Sequence, residues 1–162
     1  MKLLLVFPNN LSVYGVLSTL AAKTPPIQLA TYAASLRQYN IGVLDCEGEE
    51  LTVEQSVNRI LLLAPEHVVI CTDHLNSGDV SKLEATQDLV EHLPHPSIWL
   101  EGVVPTAHPE WFTEWNIKGI LPGEAFQGLQ DLCEGKEPKK APFLRSENDD
   151  RRASRRMAEP RL

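Results

Sequence analysis

Glu101-Gly-Val-Val-Pro-Thr-Ala-His-Pro-Glu-Trp111 is followed, after one short apolar run, by Gly123-Glu-Ala-Phe126. The first stretch reads as a strand ending on glycine and passing into a proline-containing loop. The second reads as a strand ending on Gly-Glu at the mouth of a helix. Glycine at two successive strand ends lets the backbone approach a neighbour closely. Both ends are therefore expected to face something large and flat, since a loop made only for packing seldom needs the pair. Taken singly, Gly102 and Gly123 also suit tight strand-to-loop turns, and Glu124 suits a helix N-terminus through the dipole.

Working outward from this pair, apolar runs alternate with helical patterns along the chain. Residues 3–7 form a continuous hydrophobic run, the signature of a strand buried on both faces. A long linker over residues 8–26 contains Gly15 and a Pro25-Pro26 stop, with a short helix expected near residues 11–20. The first clear helix is predicted over 27–39, with Ile27, Ala30, Tyr32 or Ala33, and Leu36 as its apolar stripe, closed by Asn40. Residues 41–45 are the second strand. Thr52 with Gln55 is a capping-box signature for a helix running to Ala64, before Pro65. The third strand spans 67–72 and is followed by a polar loop over 73–78. A helix over 79–92 is expected to turn Val80, Leu83, Leu89 and Val90 inward, and Pro94 and Pro96 stop it. Residues 97–100 are the fourth strand, 111–115 a helical turn and 118–121 the fifth strand, and a last helix opens at Gly123-Glu124 and ends near Gly135.

This rhythm predicts an α/β fold: a three-layer, Rossmann-like (flavodoxin-like) parallel sheet of five strands in the order 2-1-3-4-5. Ligands on such sheets bind beyond the carboxyl ends of the strands, where strand order reverses. That crevice lies between the loops at 8–26 and 72–78.

The 162 residues fit one domain, placed at 1–135, with 136–162 as a charged, flexible tail or linker. Net charge is −7 overall, but residues 1–135 carry −11 and the tail +4. An acidic body argues against nucleic acid, whose phosphates require clustered Lys and Arg. The apolar run at the N-terminus is too short for a bilayer, which needs about 20 residues, and Pro8-Asn-Asn10 cuts it off before a cleavage site. A cytoplasmic protein without membrane contact is expected. Three cysteines at wide spacing (Cys46, Cys71 and Cys133) suggest neither zinc nor a disulfide framework, and Cys71 reads as a small buried hydrophobe. No G-x-G-x-x-G, Walker-type loop or G-x-S-x-G elbow occurs, so phosphate-loop and α/β-hydrolase chemistry are not indicated.

With these elements in order, residues 2–134 resemble the N-terminal cobalamin-binding domain of cobalamin-dependent radical SAM enzymes. The resemblance is carried by Pro25-Pro-Ile-Gln-Leu-Ala-Thr-Tyr-Ala-Ala-Ser-Leu36, by Val43-Leu44-Asp45, by Gly102 with Pro105-Thr106-Ala107 and Pro109-Glu110, and by Gly123-Glu124-Ala-Phe126. It implies cobalamin, as methylcobalamin or hydroxocobalamin, on a wide and mostly apolar shelf. Gly102, Pro105 and Thr106 would border its nucleotide tail, with Gly123 and Glu124 on the other wall of the slot. Thr72 would offer a hydroxyl, and Tyr14, in the loop after the first strand, would face the corrin, core packing being the alternative for it. It implies no catalytic side chain and no metal ligand in this chain. The iron–sulfur cluster and S-adenosylmethionine would belong to a radical SAM barrel domain or a separate catalytic chain, which performs methyl transfer or related radical chemistry.

The chain departs from the family pattern in three places. Glu101-Gly102 stands where paired glycines are common. Asp73-His74-Leu-Asn-Ser-Gly78 superficially matches the D-x-H-x-x-G cobalt-ligating motif, but the spacing is wrong and it follows the third strand, so His74 reads as a loop residue. No C-x-x-x-C-x-x-C loop exists, so the chain is expected to be a fragment or a stand-alone module that does not catalyse by itself. Two alternatives stay open. One is a small α/β transferase or nucleotide-binding half-domain using Asp73, Glu101 or Glu124. The other is a non-catalytic interaction domain with a decayed cofactor site, using Trp99, Trp111 and Trp115 for contact, although Trp99 better suits the core.

Overall fold

A computed structural model describes residues 1–10, 25–72 and 80–141. The expectations for a helix near 11–20, for the loop over 73–78 and for the tail beyond 141 lie outside the described residues. Five parallel strands form one sheet: β1 (Leu3–Phe7), β2 (Ile41–Asp45), β3 (His67–Cys71), β4 (Ile98–Glu101) and β5 (Gly119–Leu121). Their order is β2-β1-β3-β4-β5, as the alternating pattern predicts. The described helices are α1 (Ile27–Ser35), α2 (Val53–Leu63), α3 (Val80–His92), α4 (Val103–Ala107) and α5 (Phe126–Cys133).

Side chains alternate along each strand, so the sheet sends residues to two separate cores. Leu3, Leu5 and Phe7 of β1 join Val69, Cys71, Trp99 and Leu121 under α1 and α5. Leu4 and Val6 join Val68, Ile70, Leu100 and Ile120 on the opposite face, with Ile60 from α2 and Leu89 and Val90 from α3. All five residues of β1 are buried, as a central parallel strand covered on both faces requires. Register runs Leu3↔Ile41 on one side and Leu3↔His67 on the other. The sheet's carboxyl ends thus gather Phe7, Asp45, Cys71, Glu101 and Leu121 at one rim.

The Thr52 capping box is present as expected. The Gln55 amide donates to Thr52 Oγ1 at 3.2 Å, and the Thr52 amide donates to Gln55 Oε1 at 2.9 Å. Four local expectations need correction. Helix α1 ends at Ser35: the Leu36 amide makes the last helical bond, to the Tyr32 carbonyl, which the Ser35 hydroxyl shares, and Leu36 then leaves helical backbone geometry for a tight turn closed by Tyr39 N–H on Leu36 O. Its buried stripe is Leu29, Tyr32 and Leu36, whereas Ile27 is 59% exposed and Ala30 lies on the outer face. The segment after Gly102 is the short helix α4 and a 3₁₀ turn (Pro109–Phe112) in place of an open loop, and that turn begins before the helical turn expected at 111–115. Proline in a first turn costs no hydrogen bond, so Pro105 and Pro109 are accommodated. Helix α5 begins at Phe126, because Gly123 has φ 63° and turns the chain before the helix starts.

Helix α3 buries Leu89 and Val90 but only partly Leu83, and it also buries Lys82 completely. Lys82 Nζ donates to Pro8 O at 2.7 Å and to Glu47 Oε2 at 2.8 Å, and it lies 3.7 Å from the centre of the Phe7 ring. The pair pins the turn after β2 and the start of the loop after β1 to the first turn of α3. Breaking a buried ion pair from one side strands the other charge. Lys82→Met and Glu47→Gln are each expected to lower unfolding free energy by about 3–5 kcal/mol in urea titrations. The double variant Lys82→Met/Glu47→Leu is expected to recover most of that loss; equal or additive losses would show that the two charges do not depend on one another.

Candidate functional site

Helices α1 and α5 and the segment after β4 converge on the carboxyl ends of β3, β4 and β5. The organising residue is Glu101, the last residue of β4, which is 1% exposed. Its backbone carbonyl accepts both the Thr72 amide and the Thr72 hydroxyl, each at 3.0 Å. Its carboxylate Oε2 accepts from the Tyr32 hydroxyl at 3.2 Å and from Gln28 Nε2 at 3.3 Å. The same Tyr32 oxygen accepts from Gln28 Nε2 at 2.7 Å and from the Ala125 amide at 3.3 Å. One buried network therefore ties α1, β3, β4 and the start of α5 together.

Beside this network lie two glycines with positive φ, Gly102 and Gly123. Gly102, with φ 136°, precedes α4, a conformation in which a β-carbon would be strained. From α4, Thr106 Oγ1 accepts the Gly123 amide at 3.1 Å, joining the two glycine-containing segments across the β4–β5 edge. Among the described residues a β-carbon built on Gly123 would meet nothing within 4 Å, so none of them covers this turn.

Of the residues singled out by the sequence, Gly102, Pro105, Thr106, Gly123 and Glu124 thus lie along one stretch of rim. Gly102 and Pro105 are buried, Thr106 is half-buried, and Gly123 and Glu124 are exposed. Thr72 adjoins them through Glu101; its hydroxyl hydrogen is committed to the Glu101 carbonyl, which leaves the oxygen as an acceptor. Tyr14, Asp73 and His74 lie outside the described residues. Among the acids considered for catalysis, Glu101 is buried and bonded while Glu124 is exposed.

Sequence reading passed over the Gln28–Tyr32 pair. The signal that could have found it is an acid ending a buried apolar strand: such a carboxylate demands donors from a neighbouring element. Trp99 is in the core, as expected, and Trp111 is 57% exposed. The Cys46, Cys71 and Cys133 thiols are all buried, and burial pushes Cys46 up to about 11, so it is protonated at neutral pH. Among the described residues no group of three His, Cys, Asp or Glu could hold a metal ion, and no helix is long and apolar enough to cross a membrane.

Burial first, then the Glu101 charge, pushes the Tyr32 phenol up to about 12. A phenol that holds its proton more tightly when folded stabilises the fold fully below the unfolded value near 10 and loses that contribution as pH rises toward about 12. Tyr32→Phe leaves the Ala125 amide and the Glu101 carboxylate each short of a partner. It is expected to cost about 1–3 kcal/mol at pH 8 in urea unfolding. The gap between the two proteins should shrink as pH is raised from about 10 to about 12. A constant gap over that range would remove the phenol from the account.

No family model matches the chain, and no curated protein does. Among solved structures, the fold is similar to part of the cobalamin-dependent S-adenosylmethionine radical enzyme OxsB, solved with aqua-cobalamin and S-adenosylmethionine bound. The TM-score is 0.55 and identity 17%, over 82% of this chain and 18% of that one. The chain therefore spans less than a fifth of the length of that enzyme. Likeness at this identity establishes the shared α/β fold.

Proposed function

We propose that this chain is a cobalamin-binding module that serves a radical SAM enzyme, whose iron–sulfur cluster and S-adenosylmethionine reside in another domain or chain. The observation that carries this reading is the turn at Gly123, uncovered among the described residues, bonded to Thr106 of α4 and flanked by Gly102. A corrin with a nucleotide tail is broad and largely apolar. It needs backbone that can approach closely and few polar groups, which is the usual make-up of a small-molecule site. Glycine at 102 and 123 supplies that approach, and no described residue fills the space a β-carbon would take at Gly123. The fold shared with OxsB adds support, since that enzyme was solved with aqua-cobalamin bound.

In this reading Gly102, Pro105, Thr106, Gly123 and Glu124 border the nucleotide tail, while Thr72 presents an acceptor oxygen and Tyr14 faces the ring. Cobalamin, as methylcobalamin or hydroxocobalamin, would supply a transferable methyl group or a redox centre. The residues of this chain orient and shield it. The Glu101–Tyr32 network below holds the two glycine segments at fixed separation, so the rim is set before any ligand arrives.

The test is retention of hydroxocobalamin by the whole chain after desalting, read from the absorption spectrum. Wild type is expected to stay red, with about one cobalamin per chain. Gly123→Asn keeps the turn, because asparagine tolerates positive φ, but fills the open space. It is expected to lose about ten-fold in affinity, equivalent to about 1.4 kcal/mol, with an unchanged circular dichroism spectrum. Colourless wild-type protein that is folded would sink the proposal.

A further inference from the structure

Away from the rim, on the outer side of the sheet's second layer, a cleft of about 630 Å³ opens between the last two turns of α3 and the crossover into β5. Gln87, Val90 and Glu91 form one wall, and Glu110, Trp111 and Glu114 form much of the other. The floor comes from Trp115, which packs edge-on against the buried Phe112 at 4.8 Å. Trp111 leaves over half of its surface exposed here. It is held flat against His108, with ring centres 4.4 Å apart and planes 8° apart, and His108 is itself paired to Glu110 at 3.2 Å. A large indole kept in a fixed orientation at the mouth of an acidic cleft does not arise from core packing, since it buries little.

We propose that this cleft binds an arginine side chain presented by a basic segment of a partner polypeptide. Glu91, Glu110 and Glu114 line the cleft, Glu91 Oε1 accepting from Gln87 Nε2 at 2.8 Å and Glu110 Oε1 meeting His108 at 3.2 Å, and among the described residues no lysine or arginine lines it. They are not close enough together to hold a metal ion. A dispersed set of this kind suits an extended, planar cation, and guanidinium is the planar cation of proteins. Guanidinium lies flat on indole while its edge bonds carboxylates bidentately, whereas an ammonium meets either group only as a point charge. The volume is that of a site taking more than one side chain, so the arginine would arrive with flanking backbone. Residues 1–135 carry −11, which draws a basic segment toward this surface. The inference stands independently of the rim and its ligand.

The test follows the Trp111 and Trp115 indole N–H resonances of the full chain during titration with a short glycine peptide bearing two arginines, against its lysine counterpart. Saturable shifts are expected, with the arginine peptide the tighter. Trp111→Leu and Glu114→Gln, both at exposed positions, are each expected to weaken binding by about ten-fold, the lost stacking and charge being of that order. Glu54→Gln makes the same charge change on the exposed face of α2 and is expected to alter affinity by less than about two-fold. Hydroxocobalamin retention should not change in any of these variants. An equal loss in Glu54→Gln, equal binding of the lysine peptide, or shifts that never saturate would each overturn the assignment, since all three describe diffuse attraction to an acidic body.

Discussion

A carboxylate at the end of a buried strand has to be matched by donors from elements remote in sequence, and that requirement at Glu101 organises this molecule. Glu101 pairs across the sheet with Cys71 on one side and Leu121 on the other. Its position is therefore fixed by the ladder before its side chain is considered. The side chain then requires hydroxyl and amide donors, which Tyr32 and Gln28 supply from a helix some 70 residues earlier in the chain. Tyr32 also packs edge-on against Phe126, with ring centres 4.8 Å apart, and accepts the Ala125 amide, so α1 and α5 take their places relative to β4 through one ring. An unpaired charge here would cost several kcal/mol, comparable to the whole stability of a small domain. The network is thus a condition of folding as much as a feature of the site.

A second buried charge, Lys82, does the corresponding job at the other side of the rim. It draws together the end of β1, the turn after β2 and the first turn of α3. The buried charged side chains of Glu47, Lys82 and Glu101 all lie toward the carboxyl ends of the strands. The opposite edge is closed by contacts nearer the surface: His67 Nδ1 with Ser97 Oγ at 2.7 Å, His95 Nε2 with Pro65 O at 3.0 Å, and the exposed ion pair Lys2–Glu66 at 2.7 Å.

The sheet order was legible because β1 is apolar throughout and because Thr52, Gln55, Pro65 and the Pro25-Pro26 pair punctuate the chain in a way few alternatives satisfy. Gly102 and Gly123 were legible as turns at successive strand ends, and both have positive φ; the bond from Gly123 to Thr106 needed the tertiary fold. Lys82 was not legible, since helical periodicity assigns a lysine to the outer face unless a buried acid is known to await it, and Glu47 lies 35 residues away. Tyr32 looked like core for the same reason: its ring is core, while its hydroxyl reaches a partner that only the tertiary fold brings near. Helix α4 was masked by Pro105, which reads as a breaker although a first-turn proline leaves the helix intact. In α1 the spacing places Tyr32, Ala33 and Leu36 inward, as observed, but the stripe starts at Leu29, while Ile27 and Ala30 face outward.

The segment from Gly102 to Trp115 connects the two surfaces. At its start Thr106 holds the Gly123 turn, and further along Trp111 and Glu114 wall the cleft against α3. Between them the backbone is continuous and bonded turn by turn: His108 N–H to Val104 O, Trp111 N–H to His108 O, and Trp115 N–H to Phe112 O. Pro105, Pro109 and Phe112 anchor it by burial along the same stretch. A segment pinned this often moves as a unit or not at all. The rim and the cleft therefore share one rigid wall, and each presents a different side of it. A guest could occupy either surface without displacing the other.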